Sequence, residues 1–383
     1  MKHVSMLNVN EVSTPAYIVD IPKFRRNILS QLEAFRRLYP NYQIGYSYKT
    51  NYVKDYCINA DSLGCFAEIV SKSEYHYAVD TLRISPSRVI YNGVIDDFDN
   101  KMNIAKNGGI VNVDNVNEFK KFVECSSPNR VIELGVRLNF SIGNGVSSRF
   151  GIDTESDDFK WLADTQNHPY VKIKSVHFHI GEGRTLDMFY KRIVKMVQFA
   201  KLFDADIVDI GGNMCGPMYD SYKKQFAIQI PTISEYADVI CSEMRAAFPN
   251  CSKTLITENG TSLVADTMHM LASIIGIKKV GCTHFVIVDT KMHDVGSSCV
   301  SKSPAYEHFG DGTNVVEHGI IAGCTCLDID RIVKDYSGYA NIGDKILIKG
   351  IGAYSYNCRN DFITPKANRV IRIEEIDFGR NVV

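Results

Sequence analysis

The chain alternates short apolar runs of strand type with longer segments in which apolar residues recur at helical spacing. The candidate strands are 44–49, 65–70, 88–93, 110–114, 133–139, 172–180, 206–212 and 254–260. Helical patterns lie before and between them, including 22–38, 115–124, 185–203 and 232–248. A strand followed by a helix, repeated over about 220 residues, predicts an α/β fold whose parallel sheet closes into a (β/α)8 TIM barrel.

The pattern changes at about residue 265, where β-rich stretches with few long helices begin. Examples are "HFVIVD", "GIIAGCTC" and "DKILIKGIGAY". These stretches predict a second domain built from strands. We therefore expect the barrel at 22–265 and a C-terminal β domain at 266–383, to which the N-terminal segment 1–21 adds the strand "TPAYIVD". A chain of 383 residues is long enough for one large and one smaller domain.

Charge and composition exclude several classes of partner. Lys and Arg total 43 against 44 Asp and Glu, and no basic run stands out, so we expect no nucleic-acid partner. Apolar runs fall short of the ~20 residues of a membrane span. The N-terminus "MKHVSMLNVNEVSTPAYIVD" lacks the apolar core of a signal peptide, and the 11 scattered cysteines favour reduced thiols. The sequence predicts a soluble, cytoplasmic protein.

Polar residues and glycines mark the ends of the candidate strands. Active sites of such barrels lie at the carboxyl ends of the strands, where the following loops surround the mouth. Each such residue alone could be the ordinary start of a solvated loop, whereas together they predict one site. The residues at these ends are Lys49, Glu68, Asn92, Arg137 with Asn139, His179, Gly211 with Gly212, and Glu258.

Nine motifs in a fixed order carry a resemblance to a known family. They are "TPAYIVD", "YSYKTN", "AEIVSKSE", "SSRFGI", "FHIGEG", "DIGGN", "ENG", "GCTCLDID" and "GIGAY". In this order the chain resembles the pyridoxal-phosphate decarboxylases of the alanine-racemase fold, a group that includes diaminopimelate, ornithine and carboxynorspermidine decarboxylases. The resemblance spans residues 14 to about 365. It implies pyridoxal 5'-phosphate as cofactor and an amino acid as substrate.

The resemblance also implies catalytic roles for four residues. Lys49 would form a Schiff base with the cofactor, because an amine whose pKa is lowered by desolvation reacts with an aldehyde. Glu258 would keep the pyridine nitrogen protonated; racemases of this fold place arginine there, so glutamate favours decarboxylation. His179 would stack on the ring. Cys326 would come from a partner subunit to protonate Cα, which implies a homodimer with shared active sites.

A further set of residues is implied to bind the cofactor. Glycine backbone N–H groups can approach a phosphate closely, and a tyrosine hydroxyl from the β domain would add a donor. An acid and an arginine would support the ring and the lysine, although these two could equally form a structural ion pair. The set is Glu68, Arg137, Gly211, Gly212, Asn213, Gly260 and Tyr354.

Two pairs of residues also have the spacing of metal ligands. His177 and His179 alternate along one strand, and Cys324 and Cys326 form a Cys-x-Cys pair. Metal-dependent barrel hydrolases carry such a histidine pair on the first strand with further ligands on later strands, a pattern that this chain lacks. The cysteine pair has no second pair to complete four ligands. We therefore predict no metal site.

The chain departs from the family pattern around the expected phosphate. The family's Glu-Pro-Gly-Arg is here Glu258, Asn259, Gly260 and Thr261, so an arginine for phosphate or a substrate carboxylate is missing. Glu182 replaces a phosphate-binding serine, and Asn213 replaces a third glycine.

The residues expected to bind the far end of the substrate also depart from the family pattern. Thr290 and Leu327 lie where related enzymes place acids for a distal amine, and no arginine lies near Ser297. An unpaired ammonium buried against Leu327 would cost about 1–3 kcal/mol. We therefore expect an amino acid whose far end is not that of a simple diamine. Three acids could still bind a charged end: Asp294, Asp328 and Asp330.

The sequence thus predicts a pyridoxal-phosphate-dependent amino-acid decarboxylase, a carboxy-lyase of a biosynthetic pathway. Two alternatives stay open. An amino-acid racemase would share the fold and the cofactor but release no CO2. A cofactor-binding homologue without turnover is consistent with the missing arginine at position 261.

Overall fold

A closed barrel of parallel strands forms the larger part of the molecule. The computed structural model describes residues 6–143, 145, 148–165 and 168–379; Ser147 of the "SSRFGI" motif and both ends of the expected β domain lie outside them. Within the described residues, eight barrel strands follow one another, and the last pairs with the first. In chain order they are Tyr42–Ser47, Phe66–Ile69, Val89–Tyr91, Ile110–Val113, Ile132–Asn139, Val171–His177, Ile207–Asp209 and Thr254–Asn259. The predicted fold class is confirmed.

Seven of the eight strands end one to three residues earlier than their apolar patterns predict, and three of these bear on the site. The first ends at Ser47, so that Lys49 lies in the following turn; the sixth ends at His177 and the seventh at Asp209. Gly211 has a φ of 66°, which no strand accommodates. Lys49, His179 and the glycine pair therefore lie in the loops just after their strands, whereas Glu68 and Glu258 remain within theirs.

Amphipathic helices cover the outside of the barrel. The first buries Phe24, Ile28 and Phe35, and Phe35 stacks on Tyr42 of the first strand with ring centroids 4.3 Å apart. Several of these helices are capped at the N-terminus by a side chain. Asp20, Thr185 and Thr232 each accept a hydrogen bond from a backbone N–H of the first helical turn. The helices are Ile21–Arg36, Lys54–Ser62, Lys72–Tyr75, Phe98–Lys106, Val116–Glu124, Asp157–Thr165, Leu186–Leu202, Asp220–Lys223, Ile233–Ala247, Thr261–Val264 and Met292–Val295. Each described helix is too short or too polar to cross a bilayer.

Most of the remaining strands form a mixed sheet. Ala16–Val19 lies antiparallel to Met268–Leu271 and parallel to Val370–Arg372, so the first part of the chain joins the sheet made by the last part. The division of the chain at residues 265 and 266 stays a prediction. The strands of this sheet are Ala16–Val19, Met268–Val280, Thr283–Val288, Ala305–Phe309, Asn314–Ala322, Arg331–Ala340, Lys345–Lys349 and Val370–Arg372. Leu7–Asn8 pairs with Ile376–Asp377, and Ile152–Asp153 with the fifth barrel strand.

One loop of the β-sheet region closes on the barrel mouth. Asn357 Nδ2 donates to the carbonyl of Tyr48 at 2.8 Å, and the backbone N–H of Tyr354 donates to the carbonyl of Thr50 at 3.0 Å. Asn51 Nδ2 donates to the carbonyl of Gly352 at 2.8 Å. These hydrogen bonds bind the loop to the turn that carries Lys49, so the two domains meet beside the expected site.

Candidate active site

Lys49 lies in a tight turn directly after the first barrel strand. The backbone N–H of Thr50 donates to the carbonyl of Ser47 at 3.0 Å, which closes the turn. The Lys49 ammonium donates to Glu68 Oε2 at 2.5 Å. Burial lowers the pKa of Lys49, but the carboxylates of Glu68 and Glu258 outweigh it, and the pKa is raised. The lowered pKa expected from burial alone is therefore wrong for the protein without its cofactor.

The buried amide of Asn92 connects Glu68 to Glu258. Asn92 Nδ2 donates to Glu68 Oε1 at 3.0 Å and also to Glu258 Oε1. Asn112 Nδ2 in turn donates to Asn92 Oδ1 at 2.8 Å. All four side chains are buried, and they come from the second, third, fourth and eighth strands or the residues that follow them. Lys49, Glu68, Asn92 and Glu258 thus form one hydrogen-bonded network across the mouth.

The other carboxylate oxygen of Glu258 contacts a buried histidine. His177 Nε2 lies 3.1 Å from Glu258 Oε2. Burial raises the pKa of Glu258, but His177 and Lys49 lower it by more, so the glutamate stays ionised. Burial and the Glu258 charge raise the pKa of Asp209 well above its usual range, so this neighbouring acid is neutral. One ionised and one neutral carboxyl group thus lie side by side beneath the mouth.

The two histidines of "HFHIG" have different partners. His179 Nδ1 accepts a hydrogen bond from the backbone N–H of Gly212 at 3.0 Å, whereas His177 faces Glu258. Burial and the Lys49 charge lower the pKa of His179 well below its usual value, so its ring is neutral. An imidazole nitrogen of His177 and carboxylate oxygens of Asp209 and Glu258 lie within 4.8 Å of one another, close enough to share a metal ion. The prediction that the protein uses no metal stays a prediction.

The glycine pair makes room for protein atoms at this point. A Cβ atom at Gly212 would lie 2.1 Å from the carbonyl oxygen of Glu258, and one at Gly211 would lie 2.7 Å from His179 Cβ. At Gly260, a Cβ atom would lie 2.0 Å from Thr50 Oγ1. The three glycines therefore allow His179, Glu258 and the Lys49 turn to pack together, whatever they also do for a phosphate.

Arg137 does not pair with Glu68, which was the structural alternative for these two residues. Its guanidinium lies 3.8 Å from Asp114 and donates to the carbonyl of His179 at 3.2 Å. Arg137 also lies over the ring of Phe150, 4.7 Å from the centroid. Glu68 takes Lys49 instead. Arg137 thus positions the loop of His179 from the neighbouring strand.

Most residues expected to bind the phosphate lie on the loops after strands seven and eight. Asn213 adopts a φ of 78°, the left-handed conformation that its expected glycine counterpart would tolerate. Its Nδ2 is buried and has no acceptor among the described residues. Tyr354 is 38% exposed and lines a cavity of about 270 Å³ together with Thr261.

These groups fit pyridoxal phosphate. The cofactor carries an aldehyde, a basic ring nitrogen and a dianionic phosphate. The chain offers the Lys49 amine, the ionised Glu258, the unpartnered amide of Asn213 and the Tyr354 hydroxyl. Lys49, Glu68, His179, Glu258 and the glycines come together as the sequence predicts.

Cys326 lies apart from this group within one chain. It is exposed, in the turn between the strands Asn314–Ala322 and Arg331–Ala340. The cavity that it lines, of about 370 Å³, also contains Lys278 and Asp328 but no residue of the barrel. Within one chain, Cys326 therefore does not reach the Lys49 site through this cavity.

Two of the three candidate acids for a substrate end have structural partners. Asp294 is buried and accepts from the backbone N–H of Ala367 at 3.2 Å. Asp330 is buried and accepts from Met292 N at 2.7 Å and from the Thr325 hydroxyl at 2.6 Å. Asp328 is exposed beside Cys326. The side chain of Ser297 lies outside the described residues.

Sequence reasoning missed three polar residues of the site. Asn112 and Asp209 interrupt the apolar runs "IVNVD" and "DIVDIGG", and a buried polar residue within such a strand is a signal for a network. Arg184, on the loop after the sixth strand, lines the same cavity as Thr261 and Tyr354. Its segment "GEGRT" has no periodicity that would distinguish it from an ordinary loop.

The family of the chain follows from a comparison with known proteins. A family profile described as "Pyridoxal-dependent decarboxylase, pyridoxal binding domain" matches residues 25–265. The chain belongs to this family. It is a pyridoxal-phosphate-dependent amino-acid decarboxylase, and the predicted enzyme class and cofactor are confirmed. The match extends over the whole barrel and contains Lys49, His179 and Glu258.

Individual relatives support the same assignment. Diaminopimelate decarboxylase of Methanocaldococcus jannaschii is 27% identical over 384 aligned residues, which cover 91% of this chain and 84% of the relative. The crystal structure of diaminopimelate decarboxylase from M. jannaschii with L-lysine superposes with a TM-score of 0.80 at 24% identity, over 94% of this chain and 88% of that one. Arginine decarboxylase of Paramecium bursaria Chlorella virus gives a TM-score of 0.77 at 19% identity, over 94% and 96%. Enzymes named for different substrates thus share this fold.

Proposed function

We propose that the decarboxylase acts at the barrel mouth on an amino acid with an atypical far end, using Lys49, His179 and Glu258 of one subunit and Cys326 of its partner. The observation that carries the proposal is the network in which Glu68 and Asn92 join Lys49 to Glu258. It holds an amine and a carboxylate together at one mouth, on the paired first and eighth strands or the turn that follows, as a cofactor with an aldehyde and a ring nitrogen requires.

Pyridoxal phosphate, when bound, supplies an electron sink for the pair of electrons that remains on Cα when CO2 leaves. Glu258 then has one task, which is to hold a proton at the ring nitrogen. Its ionised state suits this task because a carboxylate stabilises a neighbouring cation. His177 and Asn92 occupy its two oxygens from the protein side and fix its orientation.

Lys49 has to lose a proton before it can bond to an aldehyde. Glu68 is the acceptor within reach, at 2.5 Å from the Lys49 ammonium. We propose that Glu68 holds the ammonium in the free protein and takes up its proton when the cofactor binds. His179, neutral and oriented by Gly212, supplies a flat apolar surface that excludes water from one side of the ring.

Cys326 is proposed to deliver the proton to Cα from the partner subunit. Its exposure and its separate cavity are consistent with a group that completes a site in another chain. A two-fold dimer gives two equivalent sites of this kind, because each β domain can close the barrel mouth of the other subunit. Lys49 and Cys326 of the same chain then serve different sites.

The substrate is proposed to differ from ornithine, lysine and meso-diaminopimelate at its far end. Similarity to diaminopimelate decarboxylases favours an amino acid of that general length. Thr290 is buried, its hydroxyl has no partner among the described residues, and Leu327 follows Cys326 without offering a charge. A neutral, acylated or larger far end suits these side chains better than an ammonium group does.

The proposal is tested by incubating the holoenzyme with a panel of amino acids and identifying the products by mass spectrometry. We expect release of CO2 with formation of the matching amine from at least one amino acid that has a neutral or acylated far end. Lys49→Ala serves as the inactive control. Loss of Cα chirality without CO2 would instead identify a racemase and overturn the proposal.

A further inference from the structure

A cavity of about 270 Å³ beside the barrel mouth has an excess of positive charge. Loops after the sixth, seventh and eighth strands line it together with the β domain, through Arg184, Met218, Thr261 and Tyr354. Three cations reach it, namely Arg184, Lys302 and Lys349, against one acid, Asp266.

The lysines and the acid of this cavity already have partners. Lys349 forms an ion pair with Glu307, and Lys302 donates to the carbonyl of Gln225 at 3.0 Å. Asp266 forms an ion pair with Lys23 at 2.9 Å. The charges of Lys349 and Asp266 are thus neutralised locally.

Arg184 is different. Its carbonyl accepts a hydrogen bond from the hydroxyl of Tyr236 at 2.5 Å, which fixes the backbone of the loop. Among the residues that the structure describes, none accepts a hydrogen bond from its guanidinium. A fixed loop that holds a guanidinium without an acceptor, on the wall of a cavity, is suited to an anionic ligand.

We infer that Arg184 binds the phosphate of the cofactor and so supplies the cation that is absent at Thr261. The cavity lies where (β/α)8 barrels commonly bind phosphate, at the loops after strands seven and eight. Thr261 and Tyr354 add hydroxyl donors to the same wall. A planar guanidinium can donate two parallel hydrogen bonds to one phosphate, which the single ammonium of a lysine cannot match. This inference rests on the proposed placement of the cofactor at the mouth.

The test compares binding of pyridoxal phosphate and of pyridoxal, which lacks the phosphate, to full-length protein freed of cofactor. Absorbance titrations give both dissociation constants for the wild type, Arg184→Ala and Arg184→Lys. Arg245→Ala is the matched control, since Arg245 is exposed on the outer helix Ile233–Ala247. Circular dichroism shows whether each variant is folded.

We expect Arg184→Ala to weaken the binding of pyridoxal phosphate by about 10- to 100-fold, the loss typical of hydrogen bonds to a charged group. Its affinity for pyridoxal should stay within about threefold of the wild-type value. The affinity of Arg184→Lys for pyridoxal phosphate should lie between those of the wild type and Arg184→Ala. Inorganic phosphate should strengthen pyridoxal binding to the wild type and to Arg245→Ala but not to Arg184→Ala.

Two results would overturn the inference while leaving the proposed function intact. Equal weakening of both ligands would mean that Arg184 only supports the fold of the site. Unchanged affinity for both, with a raised KM for an anionic substrate, would assign the arginine to the substrate. A wild type that binds neither ligand would overturn the proposed function itself, whatever Arg184 does.

Discussion

Asn92 Nδ2 bridges two carboxylates that lie 190 positions apart in the chain, Glu68 and Glu258. Glu68 also binds Lys49, at 2.5 Å, so one amide connects the amine that would hold the cofactor to the acid that would tune it. Removing any one of these side chains would leave a buried polar partner unpaired, and such a group costs about 1–3 kcal/mol of folding free energy.

Glu68→Gln should make Lys49 reactive at a lower pH. Glu68 raises the pKa of Lys49, so its ammonium persists to higher pH than burial alone would allow. Glutamine removes the charge and can keep the hydrogen bond from Asn92. The measurement is the pH dependence of the rate at which cofactor-free protein takes up pyridoxal phosphate. An unchanged midpoint, or a shift to higher pH, would show that Glu68 does not control this lysine.

Asp209→Asn should become more stable relative to the wild type as the pH rises from about 4 to 7. The folded pKa of Asp209 lies above the unfolded value of about 3.9, so its favourable contribution is complete below the unfolded pKa and is lost at higher pH. Asparagine has no proton to lose and avoids this loss. Urea unfolding at several pH values measures the difference.

Asp209→Ala serves as the control for that series. It leaves the backbone N–H of Gly211 without its acceptor, which now lies at 3.0 Å, and should be less stable than Asp209→Asn by about 1–3 kcal/mol at every pH. A stability difference between Asp209→Asn and the wild type that does not change with pH would contradict a neutral Asp209.

Some of the site could be predicted from the sequence and some could not. Lys49, His179 and Glu258 are predictable because each lies at or just after the end of an apolar strand, and strand ends converge in any closed parallel barrel. The direction of the Lys49 pKa shift was wrong, because burial is visible in the sequence but the distance to Glu68 is not. The contact of Asn92 with Glu258 requires closure of the barrel, which pairs strand eight with strand one and lets side chains of strands three and eight meet inside it.

Loops were predicted less well than strands. The strands of the β domain follow from β-rich runs in the sequence, and the expected extra strand from the N-terminal segment is present at Ala16–Val19, whereas its pairing with Met268–Leu271 is shown only by the folded sheet. Arg184 has no such pattern around it, and only the folded loops show that it shares a cavity with Thr261 and Tyr354. Positions set by positive φ angles, such as Asn213 and Tyr354, also depend on packing that periodicity does not describe.

Cys326→Ala should keep the affinity for the cofactor and reduce turnover by about 100-fold, or divert it to transaminated by-products, because a proton donor at Cα is lost. Cofactor affinity and product distribution are measured on the same preparation.

Mixing the inactive subunits Lys49→Ala and Cys326→Ala should restore one working site per heterodimer. Failure of complementation after proven subunit exchange would place the cysteine in its own chain or outside the reaction.

Ornithine, lysine and meso-diaminopimelate should be poor substrates compared with an amino acid whose far end is neutral or acylated. A site without an ionic partner forgoes discrimination that can reach about 10⁴-fold, whereas apolar shape gives about 10- to 200-fold per methylene. Steady-state kinetics on the panel measures kcat/KM for each. Asp328→Asn is the informative variant, since Asp328 is the exposed acid next to the Cys326 turn. Turnover of any of the three within about tenfold of the best substrate would contradict the proposed specificity.

The most direct test of the whole mechanism is to reduce the holoenzyme with borohydride and map the labelled peptide. Reduction makes the bond between the cofactor and its lysine permanent, so the peptide identifies the lysine. We expect the label on Lys49, in the peptide that contains "YSYKTN", and none in Lys49→Ala. A label on another lysine, or a purified protein that takes up no cofactor, would contradict the assignment of Lys49 and with it the proposed site.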